Sequence, residues 1–209
     1  MKKQRIFKFE FKEIINPSNF YVNETNLQAF NGVINNNYKN IYLYGPKKSG
    51  KSYLSEIWTQ KYNAIKLDNN FERIIEIKNN VFIDDIEKIN NEEEIFHIIN
   101  HCTLNRLSIL ITSNLFINEI NFSLNDLNSR LKVFNFLRIN KPDDDMLLNI
   151  LIKQFTEKQF VINSEDIFQF ILKHANRSYE NIHNIVNRLD TLSIEKKRQL
   201  TIPLVKEIL

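Results

Sequence analysis

One cysteine in 209 residues, Cys102, excludes an intramolecular disulfide and fits a reducing compartment, so the cytoplasm is the expected location. No apolar run approaches the ~20 residues that a bilayer-spanning helix needs. The charged N-terminus has no apolar stretch behind it and is not a secretory signal. Charge of one sign is lacking too. The 28 basic and 25 acidic residues leave a net charge of +3, too mild and too dispersed for a dedicated DNA-binding face. Small basic clusters stand only near the ends (Lys2, Lys3, Arg5; Lys196, Lys197, Arg198) and read as solvated. With 43% hydrophobic residues the chain can bury the core of one or two domains.

Glycine is rarest where it is most telling. Of three glycines, two fall in Gly45-Pro46-Lys47-Lys48-Ser49-Gly50-Lys51-Ser52, which matches the phosphate-loop pattern G-x-x-x-x-G-K-[ST] at every fixed position. Ile41–Tyr44 before it suits a buried strand, and Lys51–Tyr62 after it reads as a helix, which is the context that the motif requires. Such a loop turns its N–H groups toward phosphate, and the helix N-terminus adds partial positive charge. Lys51 is placed to reach the β- and γ-phosphates and Ser52 to ligate Mg²⁺, so ADP or ATP with Mg²⁺ is the expected cofactor. Pro46, Lys47, Lys48 and Ser49 complete the loop, Lys47 and Lys48 at positions that the pattern leaves open.

Further strand-like runs, Ala64–Leu67, Val81–Ile83, Ser108–Thr112 and Val133–Ile139, alternate with helical patterns at Asn91–Asn105 and Leu124–Leu131. This alternation predicts a parallel α/β sheet. Beyond Pro142 the period becomes 3.6, with helices expected from Asp143, from Ser164, over Tyr179–Lys196 and from Thr201. The expected division is an N-terminal segment 1–15, an α/β domain 16–141 and a small all-helical domain 142–209.

Strand ends supply the remaining chemistry. Val81-Phe82-Ile83 runs into Asp84 and Asp85. Asp84 is placed for the Mg²⁺ shell. Asp85 is a candidate to orient or deprotonate an attacking water, although binding alone does not require it. Asn114, closing Ile111-Thr112-Ser113-Asn114, is a candidate partner for the γ-phosphate or the water, or a plain turn residue. Arg130 in Asn128-Ser129-Arg130-Leu131 is either a surface ion-pair residue or an arginine delivered across a subunit boundary, where such a group accelerates phosphoryl transfer ~10³–10⁵-fold. His97, His101 and Cys102 lie near one another but have no evident fourth ligand, and the segment reads as an amphipathic helix.

Together these residues resemble the DnaA/Hda family of AAA+ ATPases: the loop, the Asp84-Asp85 and Thr112-Ser113-Asn114 strand ends, Ser129-Arg130-Leu131 and a helical lid. The lead-in Asn16-Pro17-Ser18-Asn19-Phe20-Tyr21-Val22 is similar to that of the branch, and Leu200-Thr201-Ile202-Pro203-Leu204-Val205-Lys206-Glu207-Ile208-Leu209 closely resembles the Hda C-terminus. The resemblance implies a P-loop AAA+ sheet domain with a helical lid, in a chain that ends where an initiator would continue into a helix-turn-helix domain. It implies negative regulation of replication initiation by stimulating hydrolysis of DnaA-bound ATP. The partners would be DnaA and the DNA polymerase III sliding clamp (β subunit), with DNA met only through the clamp and a homo-oligomer possible. Arg130 matches the arginine finger, acting in trans. Gln4, Phe7 and Phe9 match the N-terminal clamp-binding segment, with Arg5 and Phe7 where the family has leucine. The lid arginine that senses nucleotide falls on Glu180 here, leaving Arg177, three residues earlier, as its substitute. The competing reading is a self-contained ATPase such as a helicase loader, favoured by Asp85; a DNA-binding initiator is disfavoured.

Overall fold

The computed structural model describes residues 16–35, 38–67, 76, 78–162 and 164–209. Gln4, Phe7 and Phe9 therefore lie outside the described residues. Apolar, largely branched segments form five described strands, β1 (Asn40–Tyr44), β2 (Ala64–Lys66), β3 (Asn80–Ile83), β4 (Ile109–Ser113) and β5 (Asn135–Arg138). They lie in the order β2-β3-β4-β1-β5 with every neighbouring pair parallel. Tyr44 of β1 pairs with Ser113 on one side and Arg138 on the other, so the three carboxyl ends finish level.

Both faces of the sheet are buried, which is why these strands read as apolar runs instead of alternating patterns. On one face Ile41, Leu43, Phe82, Leu110 and Leu137 pack with α1 (Leu27–Ile34) and α2 (Lys51–Lys61). On the other, Tyr42, Val81, Ile83, Ile109 and Ile111 pack with α3 (Glu92–Leu104) and α4 (Asn125–Leu131). The connection leaving β1 thus follows one face through α2, and that leaving β4 follows the other through α4. Between their starts a crevice opens at the carboxyl ends, the position where open α/β sheets bind ligands.

Beyond the sheet lie α5 (Asp144–Glu157), α6 (Asp166–His174), α7 (Tyr179–Lys196) and α8 (Ile202–Lys206), and they enclose a separate apolar core. Asp143 caps α5 by accepting from Met146 N at 2.7 Å, and Ser178 caps α7 by accepting from Asn181 N at 3.2 Å. Each satisfies an otherwise orphaned helix N–H. Met146 and Tyr179 belong to the sheet-side core, so the first turns of α5 and α7 stitch this helical unit to the sheet. Two local expectations shift. Val133 is 72% exposed in a turn, and β5 begins only at Asn135. Helix α1, which no pattern announced, lies between the lead-in and β1.

Candidate functional site

The loop after β1 needs its glycines for backbone shape and for close approach. Gly50 is left-handed at φ 92°, and a Cβ there would lie 2.7 Å from the Phe20 ring. A Cβ on Gly45 would lie 2.6 Å from the Ile139 carbonyl oxygen. Lys51, the first residue of α2, is buried, and its Nζ donates to Gly45 O (2.8 Å), Pro46 O (2.9 Å) and Asn114 Oδ1 (3.0 Å). Burial pulls its pKa below the ordinary lysine value against the opposing pull of Asp85, Glu87 and Asp84. Ser49 Oγ is buried with no hydrogen-bond partner among the described residues, a polar atom in want of a ligand.

The strand ends form one hydrogen-bonded cluster. Asp84 Oδ1 accepts from Thr112 Oγ1 (2.7 Å) and Oδ2 from Lys66 Nζ (2.8 Å). Burial works against its charge, yet these two donors hold its pKa below the usual carboxylate value. Thr112 Oγ1 also accepts from Asp85 N at 2.9 Å, so one hydroxyl ties both acidic residues to β4. Asp85 has the left-handed backbone (φ 47°) and pairs with Lys88. Asn114 donates from Nδ2 to Asp85 Oδ1 (3.3 Å) and to Glu87 Oε1 (2.5 Å). Glu87 was not singled out from the sequence, where it is one more charge in an acidic turn.

Two adjoining cavities lie over this cluster. One, about 230 Å³, has aromatic and apolar walls from Phe20, Tyr21, Tyr53, Met146 and Ile150. The other, about 550 Å³, is lined by Lys47, Lys51, Ser52, Asp85, Lys88 and Asn114, with Glu180 from α7. Lys48, Gly50, Tyr53 and His183 border both. An apolar, aromatic chamber opening into a cationic one is the division that a nucleotide requires, base in the first and phosphates in the second. The lead-in closes the first chamber against the helical unit: Tyr21 donates to Asp145 Oδ2 (2.5 Å), Asn23 Nδ2 to Asp143 Oδ1 (3.0 Å), and Lys153 to Asn19 O (3.1 Å).

Not every expected residue comes to this place. Asp85 lines the phosphate-side cavity, whereas Asp84 stands behind it on Thr112 and Lys66. Arg177 is paired with Asp144 (3.2 Å) outside the cavity, and Glu180 and His183 occupy that wall. Glu180 is legible in sequence as the position where the resemblance places the lid arginine, whereas His183 has no signal beyond helical spacing from Tyr179. Arg130, on α4, is exposed, lines neither cavity and has no ion pair among the described residues. His101 bonds Asn105, burial pushes the Cys102 thiol up to about 12, and the described residues hold no metal-binding cluster of His, Cys, Asp and Glu. No described helix is long and apolar enough to cross a membrane. For Mg²⁺, the Ser52 hydroxyl and the Asp85 carboxylate that border the cavity are the hard oxygen donors that this ion takes, with Asp84 behind them, so the donor types fit.

A family model described as Hda, lid domain, matches residues 143–209. Among solved structures, domain III of the replication initiation protein DnaA from Thermotoga maritima is similar at a TM-score of 0.78 and 16% identity, over 93% of this chain and 95% of that one. AMPPCP-bound DnaA from Aquifex aeolicus is similar at 0.68 and 17% identity, over 87% of this chain and 66% of that longer one. The RuvB Holliday junction branch migration motor of Thermotoga maritima follows at 0.60 and 15% identity, over 87% and 64%. At such identities the likeness is one of fold. The chain thus shares the fold of DnaA domain III, and its residues 143–209 match the Hda lid model.

Proposed function

We propose that this protein is a nucleotide-binding AAA+ regulator of replication initiation which, together with the DNA-loaded sliding clamp, stimulates hydrolysis of ATP held by DnaA. The observation that carries the reading is the contrast between a furnished cavity and an arginine kept outside it. Lys51 and the loop amides hold the phosphates of ADP or ATP, and Phe20 and Tyr53 flank the base. Mg²⁺ at Ser52 and the strand-end acids supplies charge neutralisation when bound. Arg130, exposed and without an ion partner among the described residues, does not border the chain's own cavity. Its role is to enter the nucleotide site of DnaA, where a guanidinium offsets the charge that develops on the transferring phosphoryl group. Gln4, Phe7 and Phe9 dock the segment 1–15 on the clamp's β subunit as a peptide in a pocket. The α/β unit 16–141 and the lid 142–209 hold the nucleotide, in a cytoplasmic protein that meets DNA only through the clamp.

The test is hydrolysis of DnaA-bound ATP with clamp, DNA and this protein, each omitted in turn. Arg130→Ala is expected to lower the stimulated rate by about 10³-fold. Nucleotide affinity of the chain itself should stay within about twofold, since an exposed side chain outside the cavity contributes little to it. One observation favours a second reading, a self-contained ATPase: Asp85 borders the cavity beside Lys51 and Asn114. Hydrolysis by the chain alone, abolished by Asp85→Asn, with no effect on DnaA, would establish that reading in place of the first.

A further inference from the structure

The amide of Asn114 stands among three charged side chains that leave it one orientation. Its Oδ1 accepts from Lys51 Nζ at 3.0 Å, while its Nδ2 donates to Glu87 Oε1 at 2.5 Å and to Asp85 Oδ1 at 3.3 Å. An ammonium has only donors and a carboxylate only acceptors. Turning the amide over would therefore set NH₂ against Lys51 and a carbonyl oxygen against two carboxylates. The shorter grip is that of Glu87. The same Oε1 also accepts from Asn114 N at 3.0 Å, so one oxygen fixes both the backbone and the side chain of the β4 end. Burial opposes the charge on Glu87, but bonds from the Asn114 backbone, its own backbone, the Ser113 side chain and the Asn114 amide outweigh it and keep the carboxyl below its usual pKa. Its Oε2 is buried with no hydrogen-bond partner among the described residues. The carboxylate is thus bonded to both the backbone and the side chain of Asn114 through one oxygen.

We propose that Glu87 is a positioning residue that locks the Asn114 amide with its oxygen toward the loop lysine and its NH₂ engaged, so that the β4 end does not donate to the terminal phosphate of a bound nucleotide. The inference rests on the nucleotide-binding reading above and names what governs terminal-phosphate recognition within it. Asn114 borders the phosphate-side cavity, and without the short bond to Glu87 only Lys51 and the longer 3.3 Å bond to Asp85 oppose turning its NH₂ toward a phosphate there. With Glu87 in place, its only group facing the lysine is an acceptor, which supports Lys51 and offers nothing to a phosphate.

Two variants and two readouts test this. In Glu87→Gln the side-chain oxygen remains as acceptor and only the charge is lost; in Glu87→Ala the acceptor goes. The first readout needs no nucleotide: the Asn114 side-chain NH₂ resonance, assigned by NMR, is expected to move in Glu87→Ala and to stay near its wild-type position in Glu87→Gln. The second is the ratio of ADP to ATP dissociation constants by calorimetry. It should shift toward ATP by roughly tenfold in Glu87→Ala, about the worth of one hydrogen bond to a charged group, and by less than about twofold in Glu87→Gln. A purely structural role would lower the melting temperature without moving that ratio. An unmoved resonance, a moved resonance with an unmoved ratio, or a Gln variant that behaves as Ala would each overturn the proposal. A wild-type protein that binds neither nucleotide would instead sink the nucleotide-binding reading, while the resonance still reports on the lock.

Discussion

The two walls of the candidate site are built on opposite terms. On the strand-end wall the polar side chains are tied to one another: Thr112 ties Asp84 to the Asp85 backbone, and Asn114 joins Lys51 to Glu87 and Asp85. On the lid wall Glu180 and His183 reach the cavity with no hydrogen bond or ion pair among the described residues. The lid is seated by apolar contact through Met146 and Tyr179 and by the lead-in's bonds to Asp143 and Asp145. Side chains on level, paired strand ends have little choice of position, because the register fixes their backbones and their neighbours are charged. A helix face held by its buried side can change what it shows without disturbing its seat. The strand ends carry the residue types expected of the fold, and the lid carries an acid where the family resemblance has a cation.

The sharpest way to break this contrast is at its most connected atom. Lys51→Ala removes three hydrogen bonds and, among the described residues, the one buried ammonium that lines the phosphate-side cavity. Nucleotide affinity is expected to fall at least about hundredfold, the scale of losing charge-assisted bonds to phosphate. Titration with a fluorescent nucleotide analogue measures it. Affinity unchanged within threefold would mean that the loop is not the phosphate site.

How much of this was readable in advance follows the same division. Gly45 to Ser52 is contiguous and flanked by a strand and a helix, so its place was legible from spacing alone. Asp84, Asp85 and Asn114 were legible as strand ends because apolar runs stop there abruptly. Their order was not: that Asp85 faces the cavity while Asp84 turns to Lys66 depends on the left-handed backbone at Asp85, which no residue type announces. Glu87 was hidden in Asp84-Asp85-Ile86-Glu87-Lys88, where any charge reads as a solvated turn. Its partner Asn114 is 27 residues away. Arg177 precedes Ser178, the N-cap of α7, while Glu180 lies in the first turn, so helical spacing does not put the two on one face. Helix α1 escaped because its short run carries Gly32 in place of a strong helix former.

The lid wall can be sharpened by making it agree with the strand-end wall. Glu180→Arg places a cation where a carboxylate now borders a cavity lined by Lys47, Lys51 and Lys88. Affinity for ADP and ATP together should rise by about tenfold, as a reversal of one charge at partly screened distance implies. The gain should shrink as salt is raised from low ionic strength to about 0.5 M. No gain at low salt would show that α7 does not approach the phosphates, and that Glu180 is a solvated charge.

The smallest expected effect concerns His183, which borders both cavities opposite Lys48. Burial, then the charges of Lys48 and Lys158, lower its pKa from the ordinary 6.5. In the fold the imidazole therefore resists protonation more than it does in the unfolded chain. Between the folded and unfolded values the unfolded state binds more protons, so stability rises with pH through that window and is complete above the unfolded value. It declines as pH falls below about 6.5. The groups around the ring set the sign: Lys48 from the loop and Lys158 at the end of α5 oppose its charge, while Glu180 on its own helix and Glu157 on α5 are the nearby acids. His183→Gln should flatten the dependence of melting temperature on pH between about 5 and 7 and leave the value at pH 8 nearly unchanged. An equal slope in both proteins would mean that the lid wall is as solvated as its lack of hydrogen bonds allows. Its tolerance of unusual residues would then come from water instead of from the apolar seat beneath it.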